Sequence, residues 1–155
     1  LKLLEIPFSE TYSLKFVLAG YTGLSAVFPT STGVSEANKV YIDGMFNGRG
    51  WTDVYKETKG LAMLSNRLEL RVPVVPNVLG FDGFFDAAAS KATFNDLSSL
   101  NINDFYFSYG LGIRFLLPQF PLHLLFAWRF KMVDGQPKFA ETPFQFVLSF
   151  NVTNR

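Results

Sequence analysis

The sequence predicts an all-β fold, an antiparallel transmembrane β-barrel, and three observations carry that prediction. Apolar and polar residues alternate with a period of two through six successive segments. One face of nearly every segment is filled by Phe, Tyr, Trp or Leu, while the other mixes small residues with charges. Connections alternate in length: 73–77 and 118–121 are tight, whereas 30–60, 90–104 and 133–143 are long and polar. Short turns at one end and long loops at the other characterise outer-membrane barrels.

Taken in order, residues 1–8 read as the end of a further strand. In 12–20, Tyr12, Leu14, Phe16 and Leu18 oppose Ser13, Lys15, Val17 and Ala19. Across 61–72, Leu64, Leu68, Leu70 and Val72 oppose Met63, Ser65, Arg67, Glu69 and Arg71, with Asn66 as a polar exception on the first face. The next strand, 78–88, sets Leu79, Phe81 and Phe85 against Asp82, Phe84 and Asp86. Residues 105–117 carry Phe107, Tyr109, Leu111, Ile113 and Phe115 on one face and Tyr106, Ser108, Gly110, Gly112 and Arg114 on the other. In 122–132, Leu124, Phe126, Trp128 and Phe130 oppose His123, Ala127, Arg129 and Lys131. The last strand, 144–152, presents Phe144, Phe146, Leu148, Phe150 and Val152 against Gln145, Val147, Ser149 and Asn151.

A soluble sandwich or lipocalin-like barrel would bury the same bulky face. It would also include polar edge strands, which are missing from the pattern. Lipid on the bulky side and a polar interior on the other account for both faces. Gly110 and Gly112 would leave room for something to lie against the inner wall. About six or seven strands cannot close a membrane barrel, which needs about eight or more, and open edges cannot face lipid. The chain is therefore expected to be either one domain-sized part, 1–155, of a larger barrel, its C-terminal part, or one subunit of an oligomeric barrel, and the first is preferred. The start Leu1-Lys2-Leu3-Leu4-Glu5 reads as strand rather than leader peptide and agrees with that.

Composition narrows the function. Net charge is +1, which argues against nucleic acid as a partner. No cysteine and a single histidine, His123, argue against a disulfide framework, a thiolate or His-based metal site, and a Ser-His triad. Neither a cofactor nor enzymatic chemistry is expected. The aromatic load, 18 Phe in 155 residues, is the unusual part.

The candidate site is a motif in the longest loop, Gly48-Arg49-Gly50-Trp51, together with two isolated acids on the polar faces of the next two strands, Glu69 and Asp86. A loop cation and two inward acids suggest a loop folded back inside the barrel and pinned there. Asp82 competes as a partner for Arg49; Arg67, Arg71 and Arg114 compete for the acids. His123 is expected to face inward near the periplasmic rim, and Trp128 and Tyr109 to face lipid or its interface.

These residues resemble the bacterial surface antigen family of outer-membrane assembly and translocation barrels, in particular the C-terminal barrel segment of its BamA-type members. The family's longest extracellular loop carries Val/Ile-Arg-Gly-Phe/Tyr, where this chain has Gly48-Arg49-Gly50-Trp51. Arg67-Leu68-Glu69-Leu70 and Phe84-Phe85-Asp86 resemble the strands that follow. The turn Leu117-Pro118-Gln119-Phe120-Pro121, the loop Lys131-Met132-Val133-Asp134-Gly135 and the strand beginning Phe144-Gln145-Phe146 are similar to the family's closing hairpin. Gly48, Trp51, Ser149 and the extension past Phe150 to Arg155 depart from its pattern.

The resemblance implies a barrel of about 16 strands in the outer membrane that folds and inserts client β-barrel proteins. It implies that Arg49 locks the loop to Glu69 and Asp86, and that the strand at 144–152, with Phe144, Phe146, Leu148 and Phe150, forms one side of a lateral gate. Implied partners are the outer-membrane bilayer, unfolded client proteins and periplasmic lipoproteins. A polypeptide transporter of the two-partner-secretion type and a passive porin or surface antigen are the alternatives.

Overall fold

A computed structural model describes residues 2–9, 12–30, 32–117 and 120–150. Seven strands form one sheet in sequence order: β1 (Lys2–Ser9), β2 (Tyr12–Ala26), β3 (Ala62–Val75), β4 (Leu79–Lys91), β5 (Tyr106–Leu117), β6 (Phe120–Val133) and β7 (Gln136–Phe150). Every neighbouring pair is antiparallel, which makes the sheet a simple meander with β1 and β7 at its edges. Among the described residues the only helices are short 3-10 turns in the loops, at Glu36–Asn38, Asn95–Ser99 and Ile102–Asp104.

The period-two pattern sorts the side chains onto two faces. One face is open and apolar: Leu111 is 61% exposed, and Leu68, Phe81, Phe85, Tyr109, Phe144, Phe146, Leu148 and Phe150 are exposed with it. Its rings pack on each other across strands, Phe107 on Phe130 at 5.2 Å and Tyr109 on Trp128 at 6.0 Å between centroids. The other face buries Ser65, Glu69, Asp82, Phe84, Asp86, Ser108, His123, Ala127, Arg129 and Val147. In a water-soluble sheet the bulky aromatic face would be the buried one. Here the polar face is covered and the aromatic face is bare, the inversion that a barrel wall in lipid requires.

Three features differ from the expected boundaries. Strand β2 runs to Ala26 rather than stopping at Gly20, because its register with β3 continues through Tyr21↔Arg67 to Ala26↔Ala62. Arg67 stacks on the Tyr21 ring at 4.3 Å, so the pairing is held by side chains that the apolar count overlooks. The polar stretch 133–143 is not a long loop. Asp134 and Gly135 have φ of 51° and 76°, the two left-handed residues of a tight hairpin turn, and β7 begins immediately after them. Pro137 and Pro143 are tolerated because β7 is an edge strand. Finally, the inner space beside Gly110 and Gly112 is filled by the wall itself. A Cβ on Gly110 would meet the Phe126 carbonyl oxygen at 1.9 Å and the Phe84 ring at 2.9 Å, and one on Gly112 would meet the Asp82 carboxylate at 2.0 Å.

Positions 118–119 of the turn expected at 118–121, positions 151–152 of the closing strand expected at 144–152, and residues 153–155 lie outside the described residues.

Candidate functional site

The long connection between β2 and β3 folds back so that residues 40–60 lie on the covered face. Asp43 starts the fold: its Oδ1 accepts the N–H groups of Met45, Phe46 and Asn47 at 2.9, 2.7 and 3.0 Å. Gly50 N–H then closes on the Gly44 carbonyl at 2.9 Å. Gly48 and Gly50 both have φ of 93°, which side chains with a Cβ rarely adopt. A Cβ at position 48 would also come within 2.9 Å of Ile42 Cγ2. Glycine in place of a branched aliphatic before the arginine therefore has a local cause here. Ile42, Trp51 and Val54 of the loop, with Met63 and Ala88 of the wall, form a small apolar core that seats the loop. Thr58 ties its return limb, accepting Ile42 N–H at 3.0 Å and donating to the Val54 carbonyl at 2.7 Å.

Arg49 is 4% exposed and uses its whole fork. Its Nε donates to Asp86 Oδ2 at 2.7 Å and Nη2 to Asp86 Oδ1 at 2.6 Å, a bidentate pair. Its backbone N–H donates to the same carboxylate at 3.1 Å, and Nη1 reaches Glu69 Oε2 at 2.9 Å. The guanidinium lies 4.1 Å above the Phe84 ring. Strand register brings the acids together: Glu69 stands opposite Phe84 and Arg67 opposite Asp86, so the two carboxylates are diagonal neighbours on one face. Burial disfavours the Arg49 charge, but the hydrogen bonds and charges of Asp86 and Glu69 outweigh it and raise its pKa above the ordinary arginine value.

The competing partners divide the rest of the cluster. Glu69 also accepts from Arg71 Nε at 2.6 Å and from Arg114 Nη2. Asp82 pairs with Arg114 and with His123, whose Nε2 is 3.0 Å from Oδ2, and not with Arg49. His123 is buried on the covered face, 5% exposed. Arg67 faces Asp86 across the ladder but turns to Tyr21 instead. Phe144, Phe146, Leu148 and Phe150 project from the open side of β7, while Val147 and Ser149 are buried on the other.

Three participants, Phe84, Arg129 and Asp53, carry no site assignment from sequence. Phe84 forms the floor under Arg49. Arg129, 1% exposed, lies 4.8 Å over the Trp51 ring and donates through Nη1 to Asp53 Oδ1. Its inward position beside Lys131 on β6 is visible in the pattern, but its loop partner Asp53 follows no periodicity that could mark it. Trp51 completes this second contact, with Nε1–H donating to the Phe107 carbonyl at 2.9 Å and its ring edge-on to Tyr106. Chemically the arrangement holds position: the hydrogen bonds of Arg49 to Asp86 and Glu69 and its contact with the Phe84 ring fix the loop against the wall. Desolvation offsets most of the attraction, so the network contributes specificity more than net stability.

A meander of strands with a bare aromatic face and a long loop pinned to its covered face defines part of the wall of an outer-membrane-type β-barrel. The chain belongs to the Omp85 superfamily, whose superfamily domain matches residues 4–151. It is similar to a Treponema pallidum (strain Nichols) protein provisionally named outer membrane protein assembly factor, with 37% identity over 179 aligned positions. That alignment covers 98% of this chain and 21% of the relative, so the chain spans about a fifth of the relative's length. No solved structure matches the chain.

Proposed function

We propose that this chain is the C-terminal part of the barrel of an outer-membrane assembly factor, which folds and inserts client β-barrel proteins into the outer membrane without a cofactor. The observation that carries the proposal is the burial of Arg49 against Glu69 and Asp86, which holds a long loop on the polar side of a lipid-type wall. In this reading the covered face is the barrel lumen and Arg49 fixes the loop there. The name of the Treponema pallidum relative supports the same activity.

The physical problem is backbone desolvation. An incoming strand must keep its N–H and C=O groups paired while it enters lipid. An edge strand can serve as a template by β-augmentation. Here β7 is that edge, one side of a lateral gate, with Phe144, Phe146, Leu148 and Phe150 turned to the bilayer. Client proteins and the outer-membrane bilayer are the partners this requires, and periplasmic lipoproteins are proposed as accessory subunits.

The experiment is client insertion by the full-length protein in proteoliposomes, with cysteine pairs placed between β7 and a client's first strand. The expected result is a crosslink that forms during insertion, and insertion that slows in Arg49→Ala. Unimpaired insertion by a barrel whose β7 is covalently sealed to the strand across the gate would overturn the gate, and ion conductance indifferent to Arg49 in a protein without insertion activity would favour a porin.

A further inference from the structure

Strand β7 does not run smoothly along β6. Trp128 pairs with Phe144, yet Phe130 pairs with Phe139, so residues 140–143 bulge out opposite the single residue Arg129. A bulge removes backbone groups from the ladder and leaves them needing partners. Arg129 supplies one. Its Nε donates to the Thr142 carbonyl at 3.1 Å, and Nη2 donates to the same carbonyl at 2.6 Å and to Thr142 Oγ1 at 2.5 Å. The remaining arm, Nη1, goes to Asp53 of the loop, and the guanidinium plane lies over Trp51. One buried side chain therefore holds the bulge of the last strand with two nitrogens and the loop with the third. A second contact runs in parallel: Ala140, in the same bulge, packs on the Ile42–Trp51–Val54 core of the loop. Gly50 rests on the Arg129 stem, where an added Cβ would be 3.5 Å from Cγ.

We propose that Arg129 is a positioning residue that couples the seating of the loop to the register of β7. With the loop seated, Asp53 and Trp51 hold the guanidinium where it can fill the Thr142 carbonyl and keep the bulge in place. With the loop released, the guanidinium loses its carboxylate and its stacking partner, and the bulge loses both Arg129's geometry and the Ala140 contact. The upper part of the edge strand then loosens while 146–150, paired directly with β6, stays. This rests on the loop-lock and gate reading only for its biological meaning; the coupling itself is a property of the wall.

The test is hydrogen exchange of β7 in the full-length protein in bilayers, with loop proteolysis measured in parallel. Arg49 itself hydrogen-bonds to Asp86 on β4 and Glu69 on β3. In Arg49→Ala the loop is expected to become protease-sensitive and exchange in 139–144 to rise by about tenfold or more, the scale of losing a hydrogen bond to a charged group. In Arg129→Met that exchange is raised already, and adding Arg49→Ala raises it no further. Arg129→Lys, which can reach Asp53 or Thr142 but not fork between them, is expected to keep the strand folded while reducing the response to loop release. A released loop with unchanged β7 exchange overturns the coupling. If Arg49→Ala leaves the loop seated, the lock fails instead, and Asp53→Asn, which removes the carboxylate from Arg129 directly, decides the coupling: raised exchange supports it, and unchanged exchange overturns it.

Discussion

Asp86 and Glu69 are unequal partners of Arg49. Asp86 is fully buried and takes three hydrogen bonds from Arg49, whereas Glu69 is shared with Arg71 and Arg114. Removing the guanidinium leaves Asp86 with the backbone N–H alone, so Arg49→Ala is expected to weaken loop docking by about 3–5 kcal/mol, the range for breaking a buried pair. Limited proteolysis of the loop in the lipid-embedded protein measures this, and β content by circular dichroism should hardly change. Glu69→Gln should disturb the wall as well as the loop, because it leaves three arginines facing one another. The glycine after the arginine makes a separate prediction. Gly50→Ala meets a φ of 93° and an Ala127 Cβ at 2.7 Å. Strain of this kind costs about 1–3 kcal/mol. Adding Ala127→Gly relieves the contact and not the φ, so the double variant should recover only part of the loop's protease resistance. Full recovery would show that the backbone conformation is not under strain.

At the scale of elements, the strands were legible because lipid on one side and polar groups on the other impose the period of two on each segment. The Arg49, Glu69 and Asp86 constellation was legible for the same reason: acids on the polar faces of adjacent strands share one face in any register that keeps the apolar faces together. What escaped was wherever pairing departs from periodicity. The bulge at 140–143 shifts the register by three residues, and its one compositional mark, Pro143, gives neither its size nor its partner, which hid Thr142 as a partner of Arg129. The polar character of 133–143 concealed a hairpin whose Asp134-Gly135 turn is the strongest local signal in it. That turn also brings Lys131 opposite Lys138, a like-charged pair that Lys131 eases by lying 3.9 Å over the Tyr106 ring. Gly135→Val is therefore expected to fray the hairpin end, since a left-handed L-residue costs about 1–2 kcal/mol and little else holds the pairs Val133↔Gln136 and Met132↔Pro137. Faster amide exchange confined to this hairpin end would be the signature; exchange spreading along all of β6 would mean that the turn supports the whole strand.

For the molecule as a whole, the assignment of solvents to faces can be tested by moving one charge by one residue. Phe146 and Gln145 are neighbours on β7, but the pleat sends them to opposite sides: Phe146 pairs with Phe126 on the open face, and Gln145 with Ala127 on the covered face. If the open face meets hydrocarbon, Phe146→Arg places a cation in lipid at a cost of about 2–4 kcal/mol near the bilayer midplane. Gln145→Arg adds the same charge on the side that already accommodates Arg129 and the loop. Both variants add one positive charge at adjacent positions, but Phe146→Arg also removes a ring that packs on Phe126 at 5.4 Å, so Phe146→Ala serves as the control that separates the charge from the lost packing. Folding of the full-length protein from urea into lipid vesicles should be impaired by Phe146→Arg and close to unaffected by Gln145→Arg. The reverse order would place water on the aromatic face, and equal behaviour would mean that β7 lies outside the hydrocarbon layer.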